Sequence, residues 1–586
     1  MRHKLIHYAA RGLSFALCLG LLTFNLKTEH VTAKVARGDP VQTDLMDYRD
    51  VAELTQTLQN LANDSAHAQL LDIGSSIDFT TNPAHPRIYS IYALRISAST
   101  DETMRDDYRK NSILFEAGMH PREWLTTESC LMLAEYLVEN AENERSGVPE
   151  LLSKVDVWII PLTTPAGRVI DDGQGGDPRH YFSIAPNTLG WRGNGDTQGG
   201  CGQGVNVARN FSQGWDSVIS TDCTNDPDGF NDDPLGDAGG NGNNDDDSVS
   251  NYRGFAPFAT QEATALRNFV QNHSISMVVV IHSPDEKIWN LWGNNDVAGK
   301  TISELGEWAW RVYSLDDPNL ALTRTGVGGG IGQFSAWLAE MSDTAAQPDL
   351  GTVRGIQTIF VELPFLSATY QGAYRYRTTD HSNRFHPSGA HVRDLIRGNF
   401  MLMAKEMIYQ SRSPGCPTFS GLPWASKCPG RDFGLVGAKI GGSRLQTGLL
   451  RTNSAGCLGT VVNGRCDRTP VPARDYLPVG RHQLYYRVQN FGVSHNTDDA
   501  EVRLTIVHTI HRAGSSITET SSSTQTFNAL AKQEAQSSYF TLDIETVGSD
   551  YTVTLEVRPA GGFNSNTHDA FDKNDKKVFK FRASQM

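Results

Sequence analysis

The period of the hydrophobic positions changes along this chain. Arg87–Ser97 and Ser112–Gly118 are short runs of β-branched and aromatic residues that predict strands. Trp124–Asn140 spaces its apolar residues as an amphipathic helix does. Val155–Pro161, Ser276–Ile281 and Gln357–Leu363 predict further strands, and Ala390–Tyr409 predicts a late helix. Ser276–Ile281 is almost continuously apolar, which suits a strand covered on both faces. Strands alternating with helices predict one layered α/β/α domain over residues 46–411. Residues 412–475 are rich in Gly, Pro and Ser and read as a disulfide-bearing connector or the entry to a second domain. Beyond them Gln483–Val488, Ala500–Val507, Ser538–Ile544 and Tyr551–Val557 alternate apolar with polar. That pattern predicts a small antiparallel β-sandwich over residues 476–586, without helices.

The beginning of the chain has a different character. Arg2, Lys4 and Arg11 precede an apolar run, Gly12–Phe24, too short to span a bilayer, and Val31-Thr32-Ala33 offers a cleavage site. Residues 1–33 are expected to be a signal peptide, and the protein secreted or periplasmic. No later segment predicts a membrane span. A length of 586 residues implies more than one core, and a net charge of −14 without a basic cluster argues against nucleic acid.

An oxidising compartment gives the eight cysteines a meaning. Cys18 leaves with the signal, and Cys130 falls in a helical apolar pattern as a buried thiol. The other six lie in close pairs, Cys201 and Cys223, Cys416 and Cys428, Cys457 and Cys466, which predicts three local disulfides. Residues 222–248 are an insertion dense in Asp, Asn and Gly. Asp226, Asp228, Asp232, Asp233 and Asp237 are candidate calcium ligands there, although the loop is not an EF-hand; the alternative is a solvated acidic loop.

The candidate chemistry lies at the ends of predicted strands. His120-Pro121-Arg122-Glu123-Trp124 follows a strand and opens a helix. A His and a Glu three apart there share one face, so an imidazole nitrogen and a carboxylate oxygen can meet one metal ion. His282 ends the apolar strand Ser276–Ile281, where an α/β sheet presents ligands. Glu362 sits inside the apolar run Ile359–Leu363, where a carboxylate is costly unless paired or catalytic.

Taken together, these elements resemble the zinc carboxypeptidases of the carboxypeptidase A/B family over a little more than three fifths of the chain. The resemblance is carried by His120–Trp124, Trp191-Arg192, Gly204–Phe211, Ile281–Ser283, Glu362 and Phe385–Ser388. It implies a mixed, eight-stranded type of sheet flanked by helices. It also implies one zinc ion held by His120, Glu123 and His282. Glu362 would be the general base, taking a proton from the attacking water and returning it to the leaving amine. Arg192 would stabilise the oxyanion, Arg209 would hold the substrate's terminal carboxylate, Asn210 would also bind substrate, Arg122 would line the next subsite and Ser335 the side-chain pocket. Cys201 and Cys223 match the family's disulfide position.

The chain departs from the family at four places. Ala208 replaces the amide before Arg209, Asn206 replaces the aspartate that orients the first histidine, Gly326–Gly332 offers no tyrosine, and Ala336 stands where the family has an acidic residue before Trp337. The expected function is a secreted zinc metallocarboxypeptidase acting on peptide or protein C-termini. The departures keep two alternatives open. One is a zinc amide hydrolase of modified, branched or internal bonds. The other is an inactive binding protein whose sandwich contacts a cell surface, carbohydrate or protein.

Overall fold

The structure is a computed structural model. It describes residues 48–79, 85–99, 110–171, 193–195, 204–212, 253–254, 256–283, 285–290, 323–324, 334–340, 356–364, 390–411, 433–441, 446–447, 460–462, 465–467, 475–490, 500–512, 515–528, 530, 535–560 and 576–585. All of these fall within one compact unit, Thr43–Met586. The expected signal peptide lies outside them. No helix among the described residues is long and apolar enough to cross a membrane.

The first sheet has eight strands: β1 (Ala68–Asp78), β2 (Arg87–Ile96), β3 (Asn111–Glu116), β4 (Val155–Ile160), β5 (Met277–His282), β6 (Asp285–Asn290), β7 (Thr323–Arg324) and β8 (Gln357–Pro364). Their order is β1-β2-β4-β3-β5-β8-β6-β7. The middle four run parallel, and antiparallel pairs join β1 to β2, β2 to β4 and β6 to β8. The helices are α1 (Val51–Asn63), α2 (Trp124–Glu139), α3 (Val148–Lys154), α4 (Pro165–Asp171), α5 (Gln261–Asn272), α6 (Phe334–Glu340) and α7 (Ala390–Ser411).

Period two along the central strands divides two cores. Met277, Val279 and Ile281 face one side with α2 and α7, while Val278 and Val280 face the other with α5 and α6. The near-continuous apolar run in the sequence is this two-sided burial.

The order of the strands fixes where a site forms. The chain leaves β3, passes through α2 and α3 and returns as its neighbour β4; it then passes through α5 and returns as β5 on the opposite side of β3. Helices α2 and α5 lie on opposite faces of the sheet, the arrangement that opens a crevice at the carboxyl ends of β3 and β5.

Among the described residues the C-terminal region is all β, as expected, with two sheets around a third core. The larger sheet contains β10 (Gln446–Thr447), β13 (Asp475–Pro478), β15 (Ala500–Arg512), β16 (Ser515–Phe527), β18 (Asp550–Pro559) and β19 (Lys576–Ser584). The smaller contains β9 (Phe433–Gly441), β14 (Gly480–Asn490) and β17 (Ala535–Ile544); β11 (Thr460–Val462) and β12 (Arg465–Asp467) form a separate hairpin. The stretch read as a connector therefore supplies β9, which pairs with β14 through the register Leu484↔Ile440.

The C-terminal region meets the first sheet's layers away from the crevice. Arg267 and Asp475 form a fully buried two-pronged ion pair, and Gln271 Nε2 donates to Asp475 Oδ2 at 3.2 Å. At the starting end of β3, Asn111 Nδ2 donates to Gln489 Oε1 at 3.4 Å.

Candidate metal centre

β3 ends at Glu116, and the chain then turns sharply before α2. The turn is tied to the segment after β4: Ala117 N–H donates to the Ile160 carbonyl at 2.9 Å, and Thr163 N–H to the Ala117 carbonyl at 3.1 Å. Glu123 sits at the start of α2, so its carboxylate returns toward His120. β5 brings His282 from the other side of the crevice.

Three side chains converge. His120 Nδ1 lies 2.7 Å from Glu123 Oε1, His282 Nδ1 lies 3.0 Å from Glu123 Oε2, and the two Nδ1 atoms are 3.1 Å apart. All three residues are buried. Ser283 N–H also donates to Glu123 Oε2, at 3.1 Å. The flat face of His282 stacks on Phe360, with ring centroids 4.9 Å apart.

Hydrogen-bond logic shows what this cluster wants. Asn206 Oδ1 accepts from Ala208 N–H at 3.0 Å, which identifies it as the amide oxygen. His120 Nε2, 3.1 Å from the same oxygen, must therefore be the protonated nitrogen. That leaves a lone pair on His120 Nδ1, pointed at a second imidazole nitrogen and a carboxylate. A cation satisfies such a set. Two imidazoles and a carboxylate suit catalytic zinc, which leaves a place for water. Bonds of about 2.0–2.1 Å in a tetrahedron put neighbouring donors roughly 3.3 Å apart, near the spacings observed. The donor atoms all lie within 4.8 Å of one another. The residues fit the metal.

Protons on the imidazoles answer the same demand for positive charge. Burial works against the Glu123 carboxylate, but His120 and His282 outweigh it and hold its pKa well below the usual range. Burial also opposes a charged His282; Glu123, with Glu362 and Glu116 behind it, nevertheless raises that pKa above its ordinary value. Glu116 lies deeper, and burial pushes its pKa up to about 7, against His282 and the Thr163 hydroxyl that donates to it at 2.5 Å.

Glu362 is the register partner of His282 across β5 and β8, and it is half-buried. Arg122 is buried within the turn, and Arg209 is half-buried at the end of a 3-10 turn, Val207–Arg209. Asn210 is placed differently from its expected contact with substrate. Its Nδ2 donates to the carbonyls of Arg253 and Ala256 at 2.7 and 2.8 Å, and its Oδ1 accepts from Thr260 N–H at 2.9 Å. Both amide protons are committed, so this side chain anchors a loop and keeps no donor for a ligand. Ser335 is buried in α6, which packs on the strand bearing Glu362.

Arg192, Cys201, Cys223, Cys416, Cys428 and Cys457 lie outside the described residues, as do Asp226, Asp228, Asp232, Asp233 and Asp237. Of Cys466 only the backbone, in β12, is described. Cys130 is a buried free thiol whose pKa burial raises.

Several residues around the site escaped the sequence reading. Trp124 Nε1 donates to Asp171 Oδ2 at 2.6 Å, while the Arg168 guanidinium covers the indole at 3.6 Å. Asn194 and Glu262 bind each other behind the Asn206 turn. Isolated polar residues in loops and helices have no periodic signal, so only the spatial arrangement exposes them.

Residues 87–309 match the zinc carboxypeptidase family. The chain is 24% identical over 226 residues to human mast cell carboxypeptidase A, covering 38% of this chain and 42% of that protein. It is 23% identical over 267 residues to mouse carboxypeptidase A2, covering 45% and 51%. The chain thus spans about half the length of the curated relatives it matches. Carboxypeptidase A from Helicoverpa armigera aligns over 62% of this chain and 74% of its own, with TM-score 0.40 and 16% identity.

Proposed function

We propose that this protein, whose residues 87–309 match the zinc carboxypeptidase family, is a secreted zinc metallocarboxypeptidase that removes the C-terminal residue of peptides or proteins. The observation that carries the proposal is the convergence of His120 Nδ1, His282 Nδ1 and the Glu123 carboxylate, with Glu362 beside His282 on the next strand. His120, Glu123 and His282 would hold a zinc ion, whose chemistry when bound is to acidify a water and polarise a carbonyl.

Glu362 takes a proton from the attacking water and delivers it to the leaving amine. Arg192 balances the developing oxyanion. Arg209 grips the terminal carboxylate with its guanidinium fork, and Arg122 and Ser335 line the neighbouring subsites. On this reading residues 46–411 are the catalytic domain, residues 476–586 are an accessory sandwich, and residues 1–33 direct export. The protein is expected to bind one zinc per chain. Glu362→Gln should retain the metal and lose about 10²–10⁴-fold in turnover, the usual worth of a positioned general base. Turnover near the wild-type rate in that variant, measured on a C-terminal peptide substrate, would rule Glu362 out as the base.

One observation favours a second reading, an amide hydrolase of modified or internal bonds. Ala208 supplies no donor beside Arg209, and the Asn210 donors are committed elsewhere. Paired peptides with free and amidated C-termini separate the two. An exopeptidase cleaves only the free form, whereas equal cleavage selects the second reading.

A further inference from the structure

The turn that orients His120 is itself held from behind. Asn194 N–H donates to the Val205 carbonyl at 2.9 Å, and Val205 N–H donates to Asn194 Oδ1 at 3.0 Å. Backbone and side chain of one residue thus close a two-way clamp on the residue before Asn206. The segments are so close that a Cβ on Gly204, at φ +74°, would fall 2.1 Å from the Asn194 carbonyl oxygen.

The clamp has an anchor. Asn194 Nδ2 donates to Glu262 Oε2 at 3.0 Å, and Ser76 Oγ donates to Glu262 Oε1 at 2.6 Å. Ser76 Oγ in turn accepts from Ala166 N–H at 3.2 Å. Asn194, Glu262, Ser76 and Asn206 are all nearly inaccessible to solvent. A buried carboxylate with both oxygens hydrogen-bonded is a rigid anchor, because any shift leaves a charge unpaired.

We propose that Asn194 and Glu262 are positioning residues of the metal centre. They act through the 204–209 turn and Asn206 to hold the His120 ring in the orientation that offers Nδ1 to the metal. Neither residue is a ligand. Their effect passes along one buried chain: α5, through Glu262, to Asn194, Val205, Asn206 and His120 Nε2. This inference rests on the metal-centre reading, but its first test does not require metal.

The test compares Asn194→Ala and Glu262→Gln with Thr260→Ala. The last removes the side-chain cap of the same helix, where Thr260 Oγ1 accepts from Ala263 N–H at 3.1 Å, and touches neither Asn194 nor Asn206. In metal-free protein, ring-nitrogen NMR should show His120 as one sharp set of signals, from one ring orientation, in the wild type and in Thr260→Ala. In the two clamp variants the set should be broadened or doubled.

Zinc affinity by chelator competition should fall about 10-fold in the clamp variants, the low end for residues that hold a ligand in place. The cobalt-substituted absorption spectrum should shift with it, while Thr260→Ala only melts lower. A single unchanged set of His120 signals, with zinc affinity within about twofold of Thr260→Ala, would show the clamp to be structural only. Should Asn194→Ala fail to fold, Glu262→Gln decides alone. A wild type that shows one His120 ring orientation yet binds no zinc would sink the metallopeptidase reading and leave the clamp standing.

Discussion

At the scale of single residues, Asn206 is where this centre differs most informatively from the zinc carboxypeptidases that it resembles. Its oxygen fixes the His120 tautomer as an aspartate would, but without the negative charge that makes the imidazole a stronger donor. Asn206→Asp is therefore expected to tighten zinc binding by about 10-fold, read by chelator competition; equal or weaker binding would contradict the role given to that oxygen. His282 sets the pH response. Its folded pKa lies above the ordinary 6.5, so in the metal-free protein it contributes stability that is complete below pH 6.5 and lost as pH rises through the raised value. Metal loading runs in the opposite direction, because the same proton competes for Nδ1. Zinc titrations should show affinity declining as pH falls through the raised His282 pKa, before a free imidazole would begin to protonate. A flat profile between neutral pH and 6.5 would contradict this.

At the scale of elements, the turn between β3 and α2 converts a strand end into a ligand pair. Gly118 adopts φ +64°, and a Cβ there would meet Leu162 Cα at 2.9 Å and Leu162 Cδ1 at 2.8 Å. Gly118→Ala should cost at least about 1–3 kcal/mol, the range for a residue forced into a sparse backbone region. The urea midpoint measures that cost, and zinc affinity should fall with it because the turn carries His120. Of the elements absent from the sequence reading, α1 had a readable start: Asp50 and Glu53 form a reciprocal capping box. β1 had no comparable signal, because its burial does not alternate regularly.

At the scale of the whole molecule, α5 joins two regions. Glu262 in its first turn reaches Asn194, while Arg267 and Gln271, one turn apart, reach Asp475 of β13. Removing one partner of a fully buried ion pair strands the other. Asp475→Ala is expected to destabilise the protein by about 3–5 kcal/mol, whereas the double change Arg267→Met with Asp475→Leu should be near neutral. Denaturant midpoints check both, and equal losses in the single and double variants would refute this account. Since the sandwich meets the layers away from the crevice, zinc affinity in the double variant should match the wild type.

The sequence by itself determined the period of the central strands and of two long helices, the α/β-then-β order and the residue types able to bind a metal. Those properties are local: burial on one face or two is written in the spacing of neighbours along the chain. His120, Glu123 and His282 were legible because each lies at, or in the turn next to, the end of a periodic element. Only the tertiary structure decided which nitrogen of His120 faces Glu123 and His282, that the donors of Asn210 are committed to a loop, and that Glu262 stands behind Asn194. It also decided that Arg267 meets Asp475, 208 positions away. These are contacts between segments distant in sequence. They are set by how the strands cross and by the need to satisfy each buried polar atom, and local spacing does not encode that requirement.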